Sequence, residues 1–427
     1  MIDAVIDDLK HESIDGLSRV TSTFDGSTVW FECADLQLNP VSEALGSLWL
    51  VPCILSGRNL RIQQAVCRTW YENALAIIAL LNENWGTTKI ELIAETRDPP
   101  SAGDNQTAQS VFFSGGVDSL YTLYKSTSTK YLVSAQPFDL PSASDETHQA
   151  TRDRLAEVAR AVGAQAVTIR TNILQHPGYA IHKLMDTHTG LLASLGHLLS
   201  QHTGTLKMAP TFHKDDAELL GGHHLLVPLY SSKNLQILLP NAETSRRERL
   251  EAISDWHVAQ KNLFVCFNKE GKNKNCGRCE KCVRTLLDLH ILGKLDAFEV
   301  FDKSLPIWES IDCVNQVTWR ETYDEALKMP LDPRISAAVR RMLRRERVRV
   351  WQLEDAARFR RHVDEEFGTM KEGLENALHH YKLLQANHEK LLRDYRAAAE
   401  NRPLRKGAKV FRRVMRILGA GDERHAK

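Results

Sequence analysis

The chain has 427 residues, with 55 Lys and Arg against 54 Asp and Glu, so its formal net charge is +1. This balance excludes a globally basic nucleic-acid-binding protein and an acidic disordered chain, and the length predicts two or three domains. The average hides an asymmetry, because residues 402–427 hold nine basic and two acidic residues, a net charge of +7. The rest of the chain is therefore slightly acidic, at −6.

The apolar runs are too short to cross a membrane, which takes about 18 residues or more. The longest run extends from Leu45 to Ser56 and contains a proline. The N-terminal segment is acidic and lacks the apolar core of a signal peptide. These observations predict a cytoplasmic protein.

Residues 1–104 alternate short apolar runs with polar turns. Thr28–Glu32 and Lys89–Ala94 are typical of strands, and Tyr71–Asn82 carries apolar residues at helical spacing. These patterns predict a small α+β domain without recognisable chemistry. The polar segment 99–109 predicts a linker to the next domain.

Residues 105–300 alternate apolar runs with helical patterns. The runs 110–113, 130–136 and 166–170 predict strands, with helices from about residue 118 and over 146–163 between them. A strand–helix–strand order predicts βαβ units, and hence an α/β domain built on a parallel sheet.

Residues 301–350 are predicted to be helical, and a coiled-coil pattern follows over 351–401. Its seam alternates spacings of four and three residues at Val363, Phe367, Met370, Leu374, Ala377, Tyr381, Leu384, His388, Leu391 and Tyr395. Such a seam predicts a C-terminal coiled-coil helix and a homo-oligomer. The alternative is a long helix packed on its own body.

The sharpest local motif follows the apolar residues 111–113 and precedes a predicted helix: Ser114, Gly115, Gly116, Val117, Asp118 and Ser119. Adjacent glycines and a helix N-terminus let backbone N–H groups approach an anion. The two serines offer hydroxyl donors, whereas Asp118 would hold Mg²⁺ or cap the loop amides. The motif lacks the lysine of a Walker loop and the spacing of a dinucleotide-binding loop. It predicts a phosphate-binding loop, with a plain helix-capping turn as the alternative.

Four of the eight cysteines lie within 17 residues: Cys266, Cys276, Cys279 and Cys282. Four thiolates at this spacing suit tetrahedral Zn²⁺ in a structural site. Iron–sulfur ligation and a catalytic cysteine pair are the alternatives. The isolated cysteines are predicted to be buried thiols.

The loop resembles the SGGxDS signature of the PP-loop ATP pyrophosphatase superfamily. This resemblance implies a Rossmann-like sheet of the adenine nucleotide alpha hydrolase type, with residues 114–119 holding pyrophosphate. It also implies that ATP is cleaved between its α and β phosphates to give a substrate adenylate. The adenine would lie near residues 134–136.

Loop and cysteines together resemble the 7-cyano-7-deazaguanine synthase family of the queuosine pathway, whose members use ATP and ammonia to turn a carboxylate into a nitrile. The resemblance covers about residues 108–294, and residues 275–285 are particularly close. The family's Tyr-Gly-Gln and Pro-x-Arg-Asn elements are replaced here by residues 138–141 and 208–213. The resemblance therefore extends to ATP and zinc but not to the deazaguanine.

The sequence is similar to a branch of this family that carries an added N-terminal domain. The shared elements are residues 188–190, 221–223, 229–232 and 245–246. The resemblance to this branch implies no particular substrate.

Four further residues are candidates for the substrate side of the site. His188 and His223 lie between the two motifs in sequence, and neutral imidazoles can act as general bases. Arg246 is suited to a phosphate or carboxylate, and Asp139 to Mg²⁺ or a turn.

The tail, residues 402–427, interleaves basic and apolar residues on a predicted amphipathic helix. This pattern predicts contact with the inner membrane surface, or with a partner protein. Docking on the chain's own acidic body is the alternative, and nucleic acid ranks below these because Phe411 is the tail's lone aromatic.

The predicted function is that of an ATP-dependent ligase or amidating enzyme, in which a small-molecule carboxylate or carbonyl is adenylated and then attacked by a nitrogen nucleophile. One alternative is a base-modifying enzyme that acts on tRNA or DNA. The other is an ATP-sensing scaffold assembled through the coiled coil.

Overall fold

The computed structural model describes residues 3–98, 107–136, 145–215, 219, 221–267 and 274–400. The chain divides into two units, one ending at Glu346 and the other beginning at Arg347. The basic tail and Asp139, about which we make predictions above, lie outside the described residues.

The first unit is a mixed α/β structure. Its strands are β1 (Asp3–Ile14), β2 (Leu17–Phe24), β3 (Ser27–Cys33), β4 (Asn59–Ile62), β5 (Val66–Cys67), β6 (Leu92–Ile93), β7 (Thr96–Arg97), β8 (Gln109–Phe112), β9 (Thr129–Gln136), β10 (Gln165–Thr171), β11 (Thr205–Lys207) and β12 (Gln236–Leu238). Its helices are α1 (Ser42–Ser56), α2 (Arg68–Trp85), α3 (Val117–Tyr124), α4 (Asp145–Val162), α5 (Pro177–Ala180), α6 (Leu184–Leu198), α7 (Arg246–Ile253), α8 (His257–Asn262), α9 (Glu280–Ile291), α10 (Ile307–Asp312), α11 (Arg320–Ala326) and the start of α12 (Pro333–Glu400).

Ten of these strands form one mostly parallel central sheet, in the order β12-β11-β8-β9-β10-β3-β2-β1-β4-β6. The five strands from β12 to β10 are parallel to one another. β10 then pairs antiparallel with β3, and β3, β2 and β1 form an antiparallel meander. Strands from both sides of the predicted boundary at residue 104 thus belong to one sheet.

The turns of the meander follow from its sequence. Asp15-Gly16 and Asp25-Gly26 each connect two strands, and all four residues have positive φ. Two consecutive positive φ values define the type I′ hairpin turn, whose twist matches that of the strands and which favours Asp-Gly. The predicted strand over residues 28–32 is confirmed as β3, whereas the one over 89–94 is only the short β6.

Helix α1 contains the longest apolar run of the chain. It is buried on nearly every side, as expected for a helix without a polar face. It packs on α6, where the lack of a side chain at Gly190 lets the Ser47 backbone approach closely. This contact joins the N-terminal segment to the later half of the first unit. Among the described helices, none is long and apolar enough to cross a membrane.

The strand order reverses at β8. The next two strands along the chain, β9 and β10, lie on one side of β8, while β11 and β12 lie on the other. In open parallel sheets, ligands bind beyond the carboxyl ends of the strands at such a switch point. The loop at residues 114–119 directly follows β8 and therefore occupies this position.

The second unit continues α12 from Arg347 to Glu400. The described side chains from Trp351 to Asp394 are all exposed, including the apolar residues of the predicted seam. Leu374, for example, is 73% exposed.

Candidate functional site

Hydrogen bonds and one left-handed glycine set the conformation of the loop between β8 and α3. Gly115 has a φ of +81°, a conformation that favours glycine, and its carbonyl accepts a hydrogen bond from the Phe264 N–H at 2.8 Å. Ser119 Oγ accepts from the Ser114 N–H at 3.3 Å and donates to the Gly116 carbonyl at 3.1 Å. The loop thus ends at the N-terminus of α3, whose first-turn N–H groups have no acceptor within the helix.

A cleft of about 340 Å³ opens beside this loop. Its size is typical of a small-molecule site. Its lining brings together the loop, Ser134 and Ala135 at the end of β9, His188, and Arg246. Much of the remaining wall is apolar, formed by Leu184, Met185, Leu192, Met208, Val227 and Leu239. Three of the four predicted catalytic residues, Asp118, His188 and Arg246, therefore line one cleft.

Asp118 is paired with an arginine that the sequence analysis missed. Arg249 is 2% exposed, and its Nη1 donates to Asp118 Oδ1 at 2.7 Å and to the Pro210 carbonyl at 2.6 Å. Among the described residues, no hydrogen bond engages Asp118 Oδ2. Asp118 thus has one oxygen that positions the loop and a second that is suited to a cation.

His188 lies on α6 and is half-buried. Its Nδ1 is within hydrogen-bond distance of the carbonyl oxygens of Leu184 and Met185, at 3.2 and 3.1 Å. Carbonyls only accept, so Nδ1 carries the proton and Nε2 is the basic nitrogen of the neutral ring. This tautomer is the one a general base at Nε2 requires.

His223 is placed differently. It is buried, its Nδ1 accepts a hydrogen bond from the Leu225 N–H at 3.2 Å, and its ring centroid lies 4.3 Å from that of His224. Its neighbour Gly222 lines the cleft, but His223 is not among the described residues that do.

Arg246 is the first residue of α7, and a capping box fixes the start of this helix. Ser245 Oγ accepts from the Glu248 N–H at 3.3 Å, and Glu248 Oε2 accepts from the Ser245 N–H at 2.8 Å. Arg246 Nη2 then donates to Thr285 Oγ1 on α9 at 2.9 Å. The cap and this bond together hold the guanidinium at the cleft wall.

Helix α9 contributes two more cations to the cleft, Lys281 and Arg284. Because they are three residues apart, they lie on the same face of the helix, and this spacing is visible in the sequence. Arg284 is 4% exposed, and its guanidinium stacks over the Trp319 ring at 4.9 Å. Burial, and then the neighbouring charge of Arg246, lower the pKa of Arg284 to about 10.

The four clustered cysteines form a compact group at the start of α9. Their Sγ atoms all lie within 4.8 Å of one another, with Cys266–Cys279 at 4.0 Å and Cys276–Cys282 at 3.9 Å. Sulfurs bound to one zinc ion at about 2.3 Å would be about 3.8 Å apart. The cluster can therefore hold a metal ion such as zinc.

The fully buried Asn275 connects the segments that carry these cysteines. Its Oδ1 accepts from the backbone N–H groups of Val265 and Cys266 at 2.7 and 3.1 Å. Its Nδ2 donates to the carbonyls of Leu263 and Val300 at 2.8 and 3.1 Å. One amide side chain thus satisfies four backbone groups and sets the position of the first cysteine.

Hydrogen bonds between the thiols of the cluster shift their pKa values in opposite directions. Hydrogen bonds from Cys266 and Cys282 lower the pKa of Cys279 far below its usual range, and the bond to Cys279 raises the pKa of Cys266 to about 12. The thiols without a metal therefore share protons, whereas a bound cation would deprotonate them. The N–H groups of Arg278 and Cys279 point to Cys276 Sγ at 3.4 and 3.3 Å, a geometry that would stabilise a metal-bound sulfur.

Comparisons with models of protein families, with curated proteins and with solved structures found no match to this chain.

Proposed function

We propose that the chain is an ATP-dependent ligase of the Rossmann-like PP-loop type, which adenylates a carboxylate or carbonyl oxygen and releases pyrophosphate. The observation that carries this proposal is the position of residues 114–119 at the carboxyl end of β8, the switch point of the parallel sheet, where they open into the cleft.

The loop and the cations that line the cleft suit a triphosphate. The first-turn amides of α3 supply N–H donors, and Arg246, Lys281 and Arg284 supply positive charge. Asp118 Oδ2 would hold Mg²⁺, which would neutralise the phosphate oxygens as charge develops. The adenine would lie near Ser134 and Ala135.

The apolar residues that line the cleft suit an organic substrate. A carboxylate oxygen of the substrate would attack the α-phosphorus of ATP, so that the bond to the β-phosphate breaks and pyrophosphate leaves. A nitrogen nucleophile would then displace AMP from the adenylate. His188, which lines the cleft, would take the proton that this nucleophile loses.

A structural zinc ion on the four cysteines would supply no step of this reaction. It would fix the start of α9, since Cys279 and Cys282 flank Lys281 and precede Arg284. The metal would thereby hold two cations at the cleft wall.

The test compares the release of pyrophosphate from ATP by Asp118→Asn and by the unsubstituted chain. Both are assayed with the small-molecule fraction of an extract from the cells that express the chain. This substitution keeps the shape of the side chain but removes the charge for Mg²⁺. We expect release to fall on the order of a hundredfold. Asp153→Asn, an exposed position on α4, is the control. Equal release by Asp118→Asn and the unsubstituted chain would refute the proposed site.

We also propose that α12 of the second unit pairs with the same helix of another copy. The seam is exposed along its described length in the single chain. In a parallel pair, Glu366 of one helix would approach Lys371 of the other, which favours that orientation.

A further inference from the structure

Two arginines in the cleft wall have buried N–H groups without a hydrogen-bond acceptor. Arg246 Nη1 and Arg284 Nε are each inaccessible to solvent, and neither donates a hydrogen bond to any described residue. Arg246 Nη1 forms an ion pair with Asp288 Oδ2 at 3.6 Å, just beyond hydrogen-bond distance, and that oxygen is also buried without a hydrogen-bond partner. Leaving such donors unpaired costs free energy, and an acceptor on a ligand in the cleft would satisfy them.

The surrounding charges leave this wall positive. The charged groups here are five cations, Arg246, Arg247, Arg249, Lys281 and Arg284, and four carboxylates, Asp118, Glu280, Asp288 and Glu325. Asp288 Oδ1 is already engaged by Arg247 at 2.9 Å. One cation therefore remains in excess at this wall, although Arg246 forms an ion pair with Asp288 at 3.6 Å.

Both arginines are held from outside the cleft. The capping box fixes the start of the helix that carries Arg246. Arg284 follows the cluster cysteine Cys282 by two residues, and its guanidinium is stacked on Trp319. A guanidinium held in one orientation loses little side-chain entropy on binding, and its planar donors match phosphate or carboxylate oxygens.

We propose that Arg246 and Arg284 form an anion subsite that binds a phosphoryl or carboxylate group through charge-assisted hydrogen bonds. This inference rests on the proposed function, because it assigns an anionic group to the same cleft. The group comes either from the phosphate tail of ATP or from the organic substrate.

The experiment measures binding to the metal-loaded full chain by calorimetry. The probes are α,β-methylene ATP, which resists cleavage between the α and β phosphates, and benzoate, a planar carboxylate added to the nucleotide-loaded protein. The variants are Arg284→Ala and Arg246→Ala. Arg278→Ala is the matched control, since Arg278 adjoins the same cysteines but is 54% exposed and bonds Ser304. Thermal unfolding and zinc content establish whether each variant is folded. If Arg284→Ala does not fold, the binding measurements on Arg246→Ala alone test the subsite.

Both arginine variants should lose about tenfold or more in affinity for one probe, the size expected for one charge-assisted hydrogen bond. Loss for the nucleotide assigns the subsite to the phosphate tail, and loss for benzoate alone assigns it to the substrate. Affinities for both probes that match those of Arg278→Ala would overturn the subsite, as would an unsubstituted chain that binds neither. If the arginine variants lose affinity but ATP is converted to ADP, the proposed reaction is refuted and the anion subsite is retained.

Discussion

Gly277 lies between two of the four clustered cysteines and has a φ of +67°. A Cβ at this position would also collide with the backbone carbonyl of Asp302. Glycine is thus required twice, once for the left-handed conformation and once for the close approach of the Asp302 backbone.

We therefore expect Gly277→Ala to destabilise the fold by more than the ~1–2 kcal/mol of left-handed strain and to reduce the zinc bound per chain. Denaturant unfolding and metal analysis measure both effects. Gly163→Ala is the control, because Gly163 has a φ of +72° but no atom near its Cβ position. Equal costs for the two variants would show that the contact with Asp302 does not matter.

His197 offers a pH test of the core. It is buried, and its Nε2 donates to the Tyr230 carbonyl at 2.9 Å. Burial lowers the pKa of His197 from the usual 6.5, so below that pH the unfolded chain binds more protons than the folded one. Stability attributable to His197 should then fall as the pH drops below 6.5, by at most about 1.4 kcal/mol per pH unit.

Denaturant unfolding from about pH 8 to about pH 5 measures this dependence. His197→Gln retains a donor for Tyr230 but cannot be protonated, so its stability should depend less on pH. His257→Gln, at an exposed position, should behave like the unsubstituted chain. Identical pH profiles for all three proteins would contradict the assignment.

Among individual residues, the sequence predicted those that belong to a short contiguous motif. The loop at 114–119 and the four cysteines meet this condition, and the structure brings each group together. Arg249 could not be predicted as the partner of Asp118, because 131 residues separate them. The same limit applies to Arg284, whose place in the cleft depends on how α9 packs.

Among the elements, the long helix α12 makes the clearest prediction. Leu383 and Leu384 are adjacent leucines, 49% and 69% exposed, but only Leu384 belongs to the seam. If the seam pairs two chains, Leu384→Glu buries a charge in the contact, whereas Leu383→Glu leaves the charge in solvent.

Sedimentation velocity should show that Leu384→Glu shifts the chain towards a monomer and that Leu383→Glu retains the assembly. Helix content by circular dichroism indicates whether both variants stay folded. A monomeric unsubstituted chain, or equal effects of the two substitutions, would contradict pairing through the seam.

The elements from β8 to β10 were predictable because hydrophobic period and strand–helix alternation are local properties. The predicted helices over 71–82 and 146–163 are confirmed as α2 and α4. The prediction of a helix from 118 is confirmed as α3. The short β6 differs from its prediction because only two residues pair with β4, and sequence pattern alone does not reveal the length of a pairing.

At the scale of the whole molecule, the N-terminal strands continue the parallel sheet, and this pairing bears on the stability of the first unit. β3 covers the edge of β10, and α1 covers α6. We expect a chain that begins at residue 107 to lack cooperative unfolding, since it exposes a strand edge and an apolar helix face.

A chain that ends at Glu346 should by contrast unfold cooperatively, because the first unit retains its sheet and cleft. Thermal unfolding followed by circular dichroism compares the two truncations. Cooperative unfolding of the chain from 107 onwards would show that the N-terminal segment is dispensable. The joined sheet was not predictable, since antiparallel pairing between β3 and β10 leaves no local pattern in either strand.

The central claim is that the loop at the switch point holds the pyrophosphate part of ATP. Phosphorus NMR of ATP incubated with the metal-loaded chain, Mg²⁺ and the small-molecule cell fraction tests it most directly. The proposed chemistry predicts resonances of AMP and pyrophosphate, which Asp118→Asn should suppress. Resonances of ADP and orthophosphate in their place would contradict cleavage between the α and β phosphates.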